Sequence, residues 1–320
     1  MKAVRVERFG GPEVMAISEV PALVSSSHQA VVEVKAAGVN PVDTYIRSGN
    51  YPVNLSLPYT PGIDGAGIVK AVGRGAGGIR VGDRVYIAES ISGTYAQEAL
   101  CAQDQIYPLP PNLDFNQGAG IYVPYTTAYE ALFLKADPQK GETLLVHGAS
   151  GGVGIAAVQL AVAFGLRVLG TAGSLEGREL VIQQGAQHVY DHHAPDYREA
   201  ILKDTDGQGV DVILEMLANV NLGEDLKLLA HGGRVVVIGS RGTVEINPRD
   251  LMARDARIFA AAVLRISLEE KTRIQDRLRE GFEKGELTPI IGAVLPLQEA
   301  PQAHRQIMER PAYGKIVLMP

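Results

Sequence analysis

The chain has 320 residues, a length that allows about two domains. Lys and Arg total 30 against 36 Asp and Glu, a formal net charge of -6, and the absence of a basic run argues against nucleic-acid binding as the main role. The single cysteine, Cys101, excludes an intramolecular disulfide and most structural zinc sites. A reducing compartment is the natural setting, and no stretch approaches 18 uninterrupted apolar residues. We therefore predict a soluble, cytoplasmic protein.

The first part of the chain, up to about residue 120, is typical of a compact β domain. Short β-rich runs at residues 2–6, 30–37, 65–72 and 84–87 are broken by Gly, Pro and Asp. Such runs predict antiparallel strands.

From about residue 124 the pattern changes to alternating strands and helices. Apolar runs at 144–147, 167–170, 188–190, 211–215, 234–238 and 257–263 predict six strands, with helices such as 153–164 and 176–184 between them. Strands this apolar predict a parallel sheet covered on both faces, and hence a doubly wound α/β nucleotide-binding domain.

The C-terminal part is predicted to contain helices at 268–284 and 299–308 and β-like runs at 290–295 and 314–318. These last runs can rejoin the first domain. We therefore predict one domain formed by residues 1–123 and 265–320, and a nucleotide-binding domain formed by residues 124–264.

A glycine-rich turn is the sharpest local motif. The residues HGASGGVG at 147–154 lie between a predicted strand and a predicted helix, where the dinucleotide fingerprint is found. Small residues allow a pyrophosphate to approach the backbone, and the free N–H groups at the helix start meet its charge. This context predicts a dinucleotide cofactor.

The end of the second strand of this domain bears on the choice between NADH and NADPH. In an NAD enzyme a carboxylate there accepts a hydrogen bond from the ribose 2'-OH, but residues 170–174 read GTAGS and contain none. Ser174, Arg178 and His192 are placed to approach a 2'-phosphate. NADPH is therefore the predicted cofactor.

Several longer stretches carry a family resemblance. Residues 38–49 (GVNPVDTYIRSG), 57–73 (LPYTPGIDGAGIVKAVG), 145–154, 215–222 (EMLANVNL) and 232–250 closely resemble the zeta-crystallin type of NADPH:quinone oxidoreductase, a zinc-free branch of the medium-chain dehydrogenases/reductases. The resemblance runs essentially from end to end.

The resemblance implies a GroES-like, β-rich catalytic domain, a Rossmann domain with a six-stranded parallel sheet, and an active-site cleft between them. It implies a cofactor site built from both local motifs and residues far apart in the chain. The implied cofactor contacts are Tyr45, Ser150, Gly151, Gly152, Val153, Gly173, His192, Asn221, Ile238, Gly239, Ser240, Arg241, Ala261, Ala262 and Val263.

The resemblance also bears on metal use. Zinc-dependent relatives hold a catalytic metal with Cys, His and Cys, and the corresponding positions here are Asn40, Ile63 and Val123. Isoleucine and valine offer no donor atom, so no metal is predicted. Without a Lewis acid, the hydride acceptor must itself be electron-poor, and a quinone meets that requirement.

Three residues are candidates for positioning the substrate. Asn40 and Tyr45 can hydrogen-bond the substrate carbonyl or the nicotinamide ribose, and Tyr51 on the next loop can act as a lid. Asp43 and Asp64 are interpreted as structural carboxylates.

Two alternative functions stay open. The first is an NADPH-dependent enone or alkenal double-bond reductase on the same fold. The second, of another class, is a structural or AU-rich RNA-binding protein with NADPH affinity, although the acidic charge disfavours nucleic acid as the main partner. The family implies a homodimer or a homotetramer, with a small-molecule quinone as substrate.

Overall fold

The computed structural model describes residues 1–311 and 313–320, which fold into two compact units. The outer unit comprises residues 1–123, 275–310 and 314–320, and the central unit comprises residues 124–274 together with Pro311 and Tyr313. The predicted domains differ from these units at residues 265–274, which include the start of a helix, and at Pro311 and Tyr313. The domain boundary stays a prediction.

The outer unit is β-rich. It contains a two-stranded ribbon of β1 and β2, a larger sheet and several helices. Its strands are β1 (Lys2–Val6), β2 (Met15–Glu19), β3 (Gln29–Val39), β4 (Asp64–Val72), β5 (Arg84–Ala88), β6 (Glu98–Ala102), β7 (Ile106–Pro108), β14 (Ile291–Pro296) and β15 (Lys315–Met319). Its helices are α1 (Pro41–Ser48), α2 (Phe115–Gly118) and α10 (Ala300–Glu309).

The larger sheet has the order β14-β15-β3-β4-β5-β7. Strand β15 pairs with the C-terminal end of β3, and β6 pairs with its N-terminal part. All of its neighbouring strands are antiparallel except β14 and β15. Alternate residues of β3 such as Val32 and Val34 enter a core that also contains Cys101, which is completely buried. Burial raises the pKa of the Cys101 thiol to about 12, so this cysteine has the environment of a packing residue.

The central unit alternates strands with helices. Its strands are β8 (Thr143–Val146), β9 (Arg167–Thr171), β10 (His188–Tyr190), β11 (Val210–Glu215), β12 (Leu229–Val237) and β13 (Arg257–Ala260). Its helices are α4 (Gly152–Phe164), α5 (Leu175–Gln183), α6 (Tyr197–Asp204), α7 (Ala218–Leu228) and α8 (Pro248–Arg254), and it also contains the π-helix Glu130–Ala136. Helices α3 (Tyr122–Tyr129) and α9 (Leu268–Glu283) run from one unit into the other.

The six strands of the central unit are parallel and have the order β10-β9-β8-β11-β12-β13, which confirms the predicted doubly wound sheet. Leu145, Leu169 and Ile213 are fully buried in it, and each such side chain contributes about 1.5–3 kcal/mol to the free energy of unfolding. The direction of winding reverses between β8 and β11. Ligands of such folds bind at this switch point, outside the carboxyl ends of the strands.

No helix in the described part of the chain is both long and apolar enough to cross a membrane.

Candidate functional site

The glycine-rich turn joins β8 to α4 at the carboxyl edge of the central sheet. Gly151 is the N-cap of α4 and gives no side-chain cap, so the first N–H groups of the helix have neither an intrahelical nor a side-chain acceptor. These donors and the positive end of the helix suit a pyrophosphate. Ser150, Gly152 and Val153 lie in the same turn, and their contact with a cofactor stays a prediction.

Gly154 permits the close packing on which this turn depends. A Cβ at this position would lie 2.5 Å from the carbonyl oxygen of Gly148 and 2.6 Å from Cα of Ala149. Both atoms belong to the backbone and cannot rotate away. The residue is therefore glycine for a steric reason, and it allows the start of α4 to pack closely against residues 148 and 149.

The structure brings together the residues predicted at the 2'-phosphate. Ser174 is the N-cap of α5 and accepts a hydrogen bond from the N–H of Gly177 at 3.0 Å. A Cβ on Gly173 would lie 2.8 Å from Nε2 of His192, so this imidazole lies over the turn. Desolvation and the neighbouring His193 lower the pKa of His192.

A carboxylate missed in the sequence also lies here. Nη1 of Arg178 donates to Oδ2 of Asp191 at 2.9 Å, at the end of β10. Residues 170–174 at the end of β9 contain no carboxylate, as the sequence shows, but Asp191 comes from the next strand. It reaches this site because β10 lies beside β9 in the sheet, which places its carboxyl end at the same edge.

The remaining predicted cofactor residues follow β11, β12 and β13, whose carboxyl ends lie at the same edge as the glycine-rich turn. Asn221 on α7 donates from Nδ2 to Oε1 of Glu215 at 3.3 Å. The N–H of Arg241 donates to Oδ1 of Asn219 at 2.8 Å, which orders the loop after β12. The other predicted residues lie in the segments after β12 and β13: Ile238, Gly239, Ser240, Ala261, Ala262 and Val263.

Glu130, which the sequence did not single out, holds the segment after β13. Its Oε2 accepts the N–H of Ala262 at 3.1 Å, and its Oε1 lies 3.5 Å from Nζ of Lys135. Burial raises the pKa of Glu130, and the hydrogen bond from Ala262 opposes that shift. A cavity of about 230 Å³ lies beside these residues and is lined also by Arg265 and Glu270.

A fully buried trio, His147, Asp225 and Glu215, lies directly beneath the glycine-rich turn. Nε2 of His147 is 2.9 Å from Oδ1 of Asp225 and 3.6 Å from Oε2 of Glu215, and Nδ1 is 3.3 Å from Oγ1 of Thr171. Burial opposes the charge on His147, but the two carboxylates outweigh it and raise its pKa. Burial also raises the pKa of Glu215 to about 7. We interpret the trio as a proton-sharing network that ties β8 to β11 and α7.

In the outer unit, Asn40, Asp64 and Lys315 form a buried cluster. Nζ of Lys315 donates to Oδ1 of Asn40 at 2.5 Å and to Oδ2 of Asp64 at 2.6 Å. Nδ2 of Asn40 donates to the same Asp64 oxygen at 3.0 Å, and the N–H of Val123 donates to its Oδ1 at 2.9 Å. The Asp64 carboxylate, interpreted from the sequence as structural, therefore ties together two of the positions that correspond to zinc ligands.

A second carboxylate lies close to this cluster. Oδ2 of Asp43 accepts the N–H of Asn40 at 2.8 Å and the hydroxyl of Tyr95 at 3.3 Å, and that hydroxyl lies 3.2 Å from Nε2 of His304. Burial raises the pKa of Asp43 to about 7, although the Asn40 N–H and Lys315 lower it. Burial, with a smaller effect of Arg47, lowers the pKa of His304 to about 3, so the imidazole is neutral.

Tyr45 lies on α1, whose N-cap is Asn40, and Tyr51 follows in the next loop. Both are half-buried, and neither hydroxyl hydrogen-bonds another residue that the structure describes. These two phenols are therefore free donors on the same short segment as Asn40.

Comparisons with known proteins agree with this architecture. The family described as alcohol dehydrogenase GroES-like domain matches residues 26–137, and the family described as zinc-binding dehydrogenase matches residues 152–277. A quinone oxidoreductase of Homo sapiens is 50% identical over 321 residues, which cover 100% of this chain and 98% of the relative. The quinone oxidoreductase of Sus scrofa is 51% identical over the same share of both chains.

Solved structures match equally completely. The Escherichia coli quinone oxidoreductase complexed with NADPH has 30% identity and a TM-score of 0.91, with 100% of both chains covered. A structure described as an NAD-dependent alcohol dehydrogenase has 30% identity and a TM-score of 0.93, also over 100% of both chains. The fold and the glycine-rich turn thus define a medium-chain dehydrogenase/reductase that uses a nicotinamide cofactor. Within that superfamily, the chain belongs to the quinone oxidoreductase family of the zeta-crystallin type.

Zinc, which one family description names, does not fit the corresponding positions of this chain. The oxygen of the Asn40 side chain accepts from a lysine ammonium, Ile63 has no donor atom, and Val123 offers only a backbone N–H that Asp64 accepts. A zinc site needs at least three donor groups of Cys, His, Asp or Glu type. These three positions therefore do not form a zinc site.

Proposed function

We propose that this protein is an NADPH-dependent quinone reductase that works without a metal ion. The full-length 50% identity to a quinone oxidoreductase carries the proposal. When bound, the nicotinamide supplies the reducing equivalents, and the chain supplies binding, orientation and hydrogen-bond donors.

The central unit is proposed to hold the cofactor along the carboxyl edge of its sheet. The N–H groups at the start of α4 meet the pyrophosphate, and the segments after β11, β12 and β13 meet the nicotinamide half. Glu130 and Asn219 support the second role because they fix the backbone of two of these segments through Ala262 and Arg241. Fixed backbone donors need no rearrangement when the cofactor binds.

NADPH is proposed over NADH because Arg178 and His192 lie at the turn after β9. A guanidinium recognises a phosphate with directed, charge-assisted hydrogen bonds. The NADPH complex of the Escherichia coli relative supports this choice. The ion pair of Arg178 with Asp191 moderates it, because a carboxylate beside the site repels a phosphate.

The outer unit is proposed to hold the quinone carbonyl through hydrogen-bond donors. Asn40 has one Nδ2–H committed to Asp64, which leaves the second for a substrate oxygen. The hydroxyls of Tyr45 and Tyr51 are further donors to the substrate or to the nicotinamide ribose, with Tyr51 as the lid. Donors aimed at an oxygen that gains negative charge during reduction stabilise the transition state.

Turnover of the purified full-length chain tests the proposal. NADPH and NADH are each combined with an ortho-quinone, a para-quinone and a 2-alkenal, and kcat/KM is measured for every pair. We expect NADPH with a quinone to be the fastest pair. Faster turnover of the 2-alkenal than of either quinone would instead identify a double-bond reductase.

The partners and the location of the protein are also proposals. We propose a homodimer or a homotetramer, and the outer edge of β13, which has no partner strand among the described residues, supports a contact between copies. Sedimentation velocity at micromolar concentration measures the oligomeric state. The cytoplasmic location predicted from Cys101 and the composition stays a prediction.

A further inference from the structure

We propose that Lys315 is a positioning residue that fixes and polarises the amide of Asn40, so that the free Nδ2–H of Asn40 is the donor to the substrate carbonyl. The cation acts through Asn40 and does not itself touch the substrate. The catalytic part of this proposal rests on the function proposed above, whereas the orientation of the amide can be tested independently.

The strand register brings the two residues together. β15 is antiparallel to β3, and Ile316 pairs with Val39, so Lys315 lies opposite Asn40, the residue that follows β3. Gly38 makes room for the lysine stem, since a Cβ at Gly38 would lie 2.7 Å from Cε of Lys315. A lysine at this point of β15 is therefore directed across the end of β3.

The hydrogen bonds determine which way the Asn40 amide faces. Its Oδ1 accepts from the ammonium of Lys315, and its Nδ2 donates to Asp64. Rotating the amide by 180° would place NH2 against the ammonium and Oδ1 against the carboxylate, with both hydrogen bonds lost. One amide orientation is consequently enforced from both ends.

Burial strengthens the hydrogen bonds that hold the Asn40 amide in this orientation. Lys315, Asn40 and Asp64 expose 4%, 2% and 0% of their surfaces, so water does not compete for these bonds. A cation on the amide oxygen draws electron density from the nitrogen, and the remaining N–H becomes a stronger donor. The ammonium thus supplies a fixed positive charge beside Asn40 and Asp64, where Val123 also contributes its N–H.

The experiment compares four variants of the full-length chain. Lys315→Met removes the charge but leaves Asp64 unpaired, so the double variant Lys315→Met with Asp64→Asn is made to remove both charges together. Lys315→Arg keeps a cation. Lys35→Met is the matched control, because Lys35 makes a solvent-accessible ion pair with Glu33 in the same unit.

We expect the double variant to keep the wild-type urea midpoint and NADPH affinity while kcat for the quinone falls about ten- to hundredfold, the loss typical of a misplaced catalytic group. Lys315→Arg should restore kcat to within about tenfold of wild type, and Lys35→Met should match wild type. A folded double variant with wild-type kcat would overturn the catalytic role.

A readout without turnover separates this proposal from the function proposed above. In protein labelled with 15N only at asparagine, the side-chain amide of Asn40 should exchange its protons slowly in wild type and in Lys315→Arg, and rapidly in the folded double variant. Equal exchange in all three would overturn the orienting role. If no quinone is reduced by the wild type but this exchange pattern is seen, the quinone assignment fails and the orienting role stands.

Discussion

Nη1 of Arg178 lies 2.9 Å from Oδ2 of Asp191, so the guanidinium at the predicted 2'-phosphate site already has a carboxylate partner. The same pair therefore sets both the attraction and the repulsion that a phosphate meets.

Substitutions of Arg178 and of Asp191 should change the affinity for NADPH in opposite directions. Arg178→Gln removes the cation and frees the carboxylate, and should weaken NADPH binding about ten- to hundredfold. Asp191→Asn removes the repulsion and should tighten NADPH binding about two- to fivefold. NADH, which has no 2'-phosphate, should change by less than about twofold in both. Because the chain has no tryptophan, titration of NADPH fluorescence measures these constants directly. Equal losses for both cofactors in Arg178→Gln would contradict a role at the phosphate.

Breaking the buried network beneath the glycine-rich turn should destabilise the fold. Asp225→Asn removes a carboxylate that lies 2.9 Å from His147 in a site without water access, and loss of one partner of a buried pair costs about 3–5 kcal/mol. Lys227→Met, which breaks an exposed pair with Glu224 on the same helix, should cost less than about 1 kcal/mol. Urea unfolding monitored by circular dichroism gives both values. A loss below about 1 kcal/mol for Asp225→Asn would show that the network does not stabilise the central unit.

Asp43 should make the outer unit less stable as the pH rises. Its pKa is raised from an ordinary value of 3.8 to about 7, so the folded state holds the acid form, and that stabilisation is full below about pH 4 and lost through about pH 7. Relative to Asp43→Asn, the free energy of unfolding of wild type should fall by about 1 kcal/mol per pH unit in this window. The asparagine oxygen can still accept from Asn40 and Tyr95, which isolates the ionisation. Urea midpoints at four pH values supply the comparison, and parallel profiles would rule the ionisation out.

Gly154→Ala should disturb the cofactor cradle. The added Cβ would meet backbone atoms at 2.5 and 2.6 Å, and overpacking of this kind costs about 1–3 kcal/mol. Gly77→Ala is the control, since the nearest atom to its Cβ would be 4.0 Å away. We expect lower stability and weaker NADPH binding in the first variant only, measured by urea unfolding and fluorescence titration. Wild-type affinity in Gly154→Ala would mean that the turn can widen without loss of function.

The sheet of the central unit could be predicted because each strand is a local apolar run between turn residues. The predicted strand 257–263 is too long, since β13 ends at Ala260. The N–H of Ala262 instead donates to Glu130, far away in the chain, and no local pattern encodes that partner. Helix α1 was also missed, although Asn40, Pro41 and Gly49 are ordinary signals for the start and end of a helix.

The local motifs of the candidate site could be predicted from the sequence, but the partners that come from other strands could not. The turn at 147–154 and the residues after β9 follow from spacing within one strand–helix unit. Lys315 reaches Asn40 only through the pairing of β15 with β3, two strands far apart in the chain, and Asp191 reaches Arg178 through the pairing of β10 with β9. Composition and periodicity do not specify which strands become neighbours, so these partners required the structure.

The strand that carries Lys315 also determines when the outer unit can be completed during synthesis. Roughly 190 residues are synthesised between residue 123 and β15. At about 5–20 residues per second this takes about 10–40 s. During that interval β3 has no β15 to pair with, and Asp64 has no ammonium beside it. The central unit is nearly continuous in sequence and can assemble first. We therefore expect a nascent chain stalled before residue 315 to contain a folded central unit and an unfinished outer one.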